Sequence, residues 1–255
     1  MYNTEIQINV EGPRRMISFL SGGEVLFSIS ETVVTGWLVI ILLFIAMKVL
    51  THNLKLKPES KRQVIAEWIV EFFNNLVAEN MGTTMLGFAP YICAIFAFAL
   101  FGSLISMTGL RSMTADISCT GTWAAMTLFL ITLYKIRTNG FFGYLKSYAE
   151  PTPVITPINL LSEIATPAAM GIRIFGNISS GMIITSMVYA ALTVASNAVY
   201  NLIGTSSVIT DYFKVFQIGI PAALSIYFDL FSSVIQSYVF IMLSMTYIGQ
   251  AAGKE

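Results

Sequence analysis

The chain has 255 residues, 55% of them hydrophobic and only 11% charged, with 14 basic against 14 acidic side chains and a mean hydropathy of +0.73. Soluble domains carry about 25% charged residues, so this composition excludes an ordinary soluble globule. With zero net charge and no basic stripe it also excludes nucleic acid as a natural partner.

In chain order, residues 1–31 are polar and mixed in charge, and the first apolar run begins too late, behind too many acidic residues, for an ordinary signal peptide. Five apolar runs follow, each long enough for the ~20 residues a spanning helix needs: about Thr32 to Val49, Leu86 to Met107, Thr120 to Ile136, Ile158 to Val199 and Phe213 to Ile248. The predicted fold class is therefore all-α, a single integral membrane domain over 1–255 with about five crossings. The fourth and fifth runs exceed one perpendicular crossing, which implies strong tilt, a kink, or a break into an interfacial piece and a span. Lys48, Lys55, Lys57, Lys61 and Arg62 after the first run, and Lys135, Arg137 and Lys146 after the third, place those loops in the cytoplasm by the positive-inside rule, with the N-terminus outside and the C-terminus inside.

Between the first two runs, residues 58–80 read as an amphipathic helix. Pro58-Glu59-Ser60-Lys61 supplies a helix start. Val64, Ile65, Trp68, Ile69, Phe72, Phe73, Leu76 and Val77 then recur at helical spacing, with Gln63, Glu67, Glu71, Asn74 and Asn75 mostly opposite. Such a helix lies on the lipid surface or a partner, or it packs as a lid on the protein's own spans.

Ionisable groups inside the spans carry the functional argument. Arg173 sits in the run Gly171-Ile172-Arg173-Ile174-Phe175-Gly176-Asn177 with no acid within nine residues on either side. A cation at the bilayer centre costs from about 2.5–3.5 to about 10–17 kcal/mol, so it faces a cavity or a partner. Thr166, Arg173, Asn177 and Ser180 fall on one helical face, beside the small residues Ala165, Ala169, Gly171, Gly176 and Gly181, which permit close helix approach. In the fifth run Asp229, Ser232 or Ser233, and Gln236 share a face. On residue chemistry alone two readings stand: an ion path, or a structural lock in which Arg173 pairs with Asp229 or Glu163. Glu163 also reads as a solvated interfacial acid, and Asn177 and Gln236 as interhelical hydrogen-bond glue.

No Gly-rich phosphate loop is present. The single histidine, His52, lies at a loop flank, away from any serine in the spans, so no hydrolytic centre is expected. Cys93 and Cys119 lie in or beside apolar runs and read as packing residues; neither a disulfide framework nor a metal site is expected.

The stretch Pro157-Ile158-Asn159-Leu160-Leu161-Ser162-Glu163-Ile164-Ala165-Thr166-Pro167, followed by Gly171 to Asn177, resembles the signature of subunit a of F-type ATP synthases. That family shows P-x-x-x-x-x-E-x-x-x-P leading into L-R-L-F-G-N. Asp229, Gln236, Tyr238, Phe240, Met242, Leu243 and Tyr247-Ile248 are similar to its last helix, and Thr114-Ala115-Asp116-Ile117-Ser118 to its T-A-D run.

The resemblance implies a stator subunit in a bacterial plasma membrane. Two offset half-channels would carry H+ or Na+ to and from a rotating ring of c subunits. It implies b subunits of a peripheral stalk, the rest of the complex and membrane lipid as further partners, with no catalytic site in this chain and no cofactor. Arg173 would attract the ring's carboxylate, Asn177 and Gln236 would flank it, Glu163 would lie in the cytoplasmic-side half-channel and Asp229 in the outer one, with Asp116 near the outer ends. Residues 157–199 and 213–249 would form a tilted hairpin against the ring. Three departures stand out: Met182 replaces an acid of some members, Asp229 is shorter than Glu, and Ser179-Ser180 makes that wall more polar. The competing reading is a self-contained secondary transporter, but no internal repeat of the kind common in such proteins is visible.

Overall fold

A computed structural model describes residues 15–21, 24–55, 60–149, 153–203 and 226–253. It opens with a two-stranded antiparallel hairpin, β1 (Arg15–Ser21) and β2 (Glu24–Ser30), with Ile17 opposite Ile29 and Phe19 opposite Phe27. The apolar residues there alternate with Ser18 and Ser28, the period of two that a strand requires. This hairpin precedes the membrane body and was not expected.

The body is all-α. Helices α1 (Glu31–Leu50), α2 (Lys61–Met81), α3 (Ala89–Leu104), α4 (Ile117–Ala149), α5 (Thr156–Ile203) and α6 (Ser232–Ala251) follow in order. Short 3₁₀ turns bracket α3, and one π-helical turn, Ile226–Phe231, leads into α6. Among the described residues, five stretches are long and apolar enough to cross a bilayer: Glu31–Leu50, Thr83–Thr108, Ile117–Tyr148, Thr156–Ser196 and Ile226–Ala251. The beginning of the fifth expected run lies outside the described residues.

α6 is the centre of the bundle. Phe240, Ile241, Met245 and Ile248 are essentially inaccessible, and α6 meets α2, α3, α4 and α5. α1 is the opposite case. It buries only Thr32, Thr35, Gly36 and Val39, and its exposed Trp37, Ile41, Phe44 and Ile45 present the apolar surface that lipid would cover.

α2 packs on the protein's own spans along only part of its length. Its C-terminal half is core: Phe73, Leu76, Val77 and Met81 pack with α3 and α6. Its N-terminal half leaves Val64, Ile65, Trp68 and Phe72 exposed. Ser60 caps the helix, its hydroxyl accepting from the Gln63 amide at 3.3 Å. Gln63 itself departs from expectation. It is buried rather than on a solvated face, because its amide donates to the Lys55 carbonyl at 2.6 Å and to Glu67 at 2.7 Å while its carbonyl accepts from Lys55 N at 3.1 Å. It pins the preceding loop to the helix.

α4 continues through the stretch expected to be a basic loop. The break is at Gly140 (φ 72°, ψ 164°), a conformation open essentially to glycine alone. It turns Phe141–Ala149 away from the span. α5 has 48 residues, which at ~1.5 Å each is ~72 Å, more than twice the ~30 Å hydrocarbon core. Pro167 lies inside it, where a missing amide and a steric clash with the carbonyl four residues back favour a kink.

Candidate functional site

The hairpin of α5 and α6 is in a readable register. Asn177 and Ser232 are joined twice: the Ser232 hydroxyl donates to Asn177 Oδ1 at 2.8 Å, and Asn177 Nδ2 donates to the Ser232 carbonyl at 3.5 Å. One turn along, Gly181 faces Phe228, whose Cβ would be 3.3 Å from a Cβ placed on that glycine. Four residues forward on one strand of the hairpin thus match four back on the other, so the two helices are antiparallel. One turn in the other direction puts Arg173 level with Gln236.

Arg173 is exposed, and among the described residues it makes neither an ion pair nor a hydrogen bond. Neither candidate internal partner is used. Glu163 is committed elsewhere: Lys135 Nζ lies 3.1 Å from its Oε1, the Tyr144 hydroxyl donates to Oε1 at 3.4 Å and the Tyr148 hydroxyl to Oε2. Its side chain is 7% exposed, so the reading of a solvated interfacial acid is corrected: the kinked end of α4 folds two tyrosines over it. Asp229 sits half-buried in the π-helical turn before α6, beside the Ser106 hydroxyl. π-turns of this kind recur at functional sites.

The polar groups along the hairpin therefore lie at three levels. Ten residues of α5 separate Glu163 from Arg173, ~15 Å along the axis. The register places Asp229 level with Ser180, ~10 Å to the other side of Arg173. Around Glu163 the structure opens a cleft of about 530 Å³ whose lining includes Lys135, Tyr148, Asn159, Thr166, Tyr247 and Gln250. Asn159 holds its position through a 3.0 Å bond to the Tyr148 carbonyl. Two members of the predicted stripe bond back to their own helix, Thr166 to the Ser162 carbonyl at 2.9 Å and Ser180 to the Asn177 carbonyl at 3.1 Å, as such residues usually do.

Asp116 stands apart from this line. It precedes α4, its Oδ1 accepts from the Ser118 amide at 3.0 Å, and its Oδ2 accepts from the Thr32 hydroxyl at 3.0 Å. It caps one helix and ties it to the start of α1. Lys135, Tyr144, Tyr148 and Ser106 were not singled out as site residues, and Ser232 was only one of two serines on the Asp229–Gln236 face. Tyr144 and Tyr148 are four apart, a spacing that puts two side chains on one face, but nothing local says which acid they meet.

Because Ser232 fixes the register, Ser232→Ala is expected to remove an interhelical bond worth about 0.6–1.7 kcal/mol. A lower melting temperature in detergent with unchanged helix content would report it; an unchanged melting temperature would count against this role.

The family model described as ATP synthase A chain matches residues 33–249. The chain is 33% identical over 243 residues to the protein named ATP synthase subunit a, sodium ion specific, of Propionigenium modestum, covering 89% of this chain and 75% of that one. It is 31% identical over 230 residues to ATP synthase subunit a 1 of Crocosphaera subtropica, covering 89% of each. Against ATP synthase subunit a of Streptococcus agalactiae it is 30% identical over 247 residues, 91% of this chain and 93% of that one. A match running from α1 to the end of α6, across five membrane-spanning segments and the whole polar hairpin, means that the chain belongs to the ATP synthase A chain family, the ion-translocating membrane stator subunits of rotary ATP synthases.

Proposed function

We propose that Arg173 is the gate between two half-channels that carry H+ or Na+ to and from a ring of c subunits. The observation that carries this is an exposed guanidinium on an apolar helix with no acid beside it among the described residues. Leaving it unpaired in the bilayer is expensive, and a carboxylate arriving on a neighbouring subunit relieves that cost. An arginine suits the task because it keeps its charge when partly desolvated, where a lysine loses a proton. Gly176, one turn away, supports close approach, since nothing lies within 4 Å of where its Cβ would be.

In this reading the Glu163 cleft is the cytoplasmic-side access and Asp229 belongs to the outer one. Asn177 and Gln236 flank the gate, while Ser180 and Asp116 lie toward the outer end. The b subunits of the peripheral stalk hold the chain against rotation, in a bacterial plasma membrane with the N-terminus outside. Purification of the intact complex tests the partner: a ring of carboxylate-bearing subunits is expected to copurify. Protection of that carboxylate from carbodiimide by Na+ marks a sodium motor, and modification indifferent to Na+ a proton motor. Transport by this chain alone, without a ring, would favour a self-contained transporter instead.

A further inference from the structure

Glu163 is satisfied within its own chain in an unusual way for an acid beside an open polar cleft. Both carboxyl oxygens are engaged, by Lys135, Tyr144 and Tyr148. The pair is asymmetric in exposure: the Lys135 side chain is 35% exposed and that of Glu163 7%. The ammonium reaches in from the cleft, on the flexible stem that lysine provides, and stands where a mobile cation would meet the acid. Asn159, Ser162 and Gln250 also line this space, so oxygen donors suited to a hard cation are already gathered there.

We infer that Lys135 is a tethered counter-ion, which fills the cation position beside Glu163 and keeps the cleft from retaining the ions that pass through it. This rests on the stator reading, in which ions cross the cleft on their way to or from the ring. A site on a conduction path must bind weakly enough to release. A nearly inaccessible carboxylate backed by two tyrosine hydroxyls does the opposite unless its charge is already balanced, and a permanently attached cation balances it without closing the path.

The test uses the assembled ATP synthase in inverted membrane vesicles carrying Lys135→Met, Lys135→Arg, or Lys135→Met with Glu163→Gln. ATP-driven transport is measured with NaCl varied at fixed pH and pH varied at fixed NaCl, the parent enzyme showing which is the coupling ion. Lys135→Met is expected to lower both the apparent KM for the coupling ion and the turnover, each by roughly fivefold or more, the joint fall that marks tighter retention rather than lost binding. Lys135→Arg retains the parent KM. The double variant loses the tight KM and turns over several-fold faster than Lys135→Met. An unchanged KM in Lys135→Met, or a double variant as slow as the single one, would overturn the inference. A purely structural strap between α4 and α5 predicts that second outcome together with less subunit in the membrane. Arg173→Ala, run alongside, separates the two levels. If it abolishes coupling while Lys135→Met leaves KM unmoved, only the counter-ion assignment fails; if it leaves coupling intact, the gate reading itself fails.

Discussion

Arg173→Ala is expected to abolish ion-driven ATP synthesis while leaving the subunit folded and in the complex. Two facts set the direction. The side chain is exposed and makes no bond within the described chain, so its removal orphans no buried group and deletes no packing from the core. It also removes the membrane cost of the charge, which favours the folded subunit if anything. What disappears is the attraction for the ring carboxylate. A loss of at least ~100-fold, or ~2.7 kcal/mol in the rate-limiting barrier, is the expected scale. Arg173→Lys keeps a cation but one that deprotonates when desolvated, so it recovers only part of the activity. The measurements are ATP synthesis in energised vesicles against subunit content in the same membranes. Full coupled synthesis by the alanine variant would refute the gate, and loss of the subunit from the membrane would mean a structural role instead.

The second large effect is on folding. A Cβ on Gly171 would lie 2.9 Å from the backbone oxygen of Thr120 and 3.0 Å from the Ala124 Cβ, and α4 with α5 is the most extensive helix contact among the described residues. A side-chain tip can swing aside, but a carbonyl of the facing helix moves only with the helix. Overpacking typically costs about 1–3 kcal/mol, occasionally more. Gly171→Val, which adds three carbons at this crossing, is expected to leave little assembled subunit, with Gly171→Ala intermediate. Gly176 is the internal control: nothing lies within 4 Å of its added Cβ, so Gly176→Ala folds normally. Immunoblots of membranes and melting curves in detergent would distinguish them; equal accumulation of Gly171→Val and the parent would contradict the close crossing.

Much of the hairpin was legible beforehand because helical periodicity is local. Arg173, Asn177 and Ser180 share a face at any tilt, and Ser232 and Gln236 do likewise, whereas Asp229 sits in the π-helical turn ahead of them. The identity of the partners was not legible. Glu163 finds Lys135 28 positions earlier, across α4 and α5, and a kink at Gly140 is what returns Tyr144 and Tyr148 to it. Asp116 was expected near the outer ends, and nothing local told that its two oxygens would accept from the starts of α1 and α4. Gln63 was assigned to a polar face and instead went inside, because the Lys55 backbone satisfies its amide.

By itself, the sequence determined the membrane class, the five apolar spans and the family, since each depends on run length, residue period or a short motif. Only the tertiary structure decided that α2 is half core and half exposed, that Arg173 stands level with Gln236, that Lys135 answers Glu163, and that Arg173 meets no acid among the described residues. The physical reason is one of range. Period and length are set by neighbours along the chain, whereas the pairing of charges depends on which helices cross, at what height and around which bends, and those are consequences of packing the whole bundle.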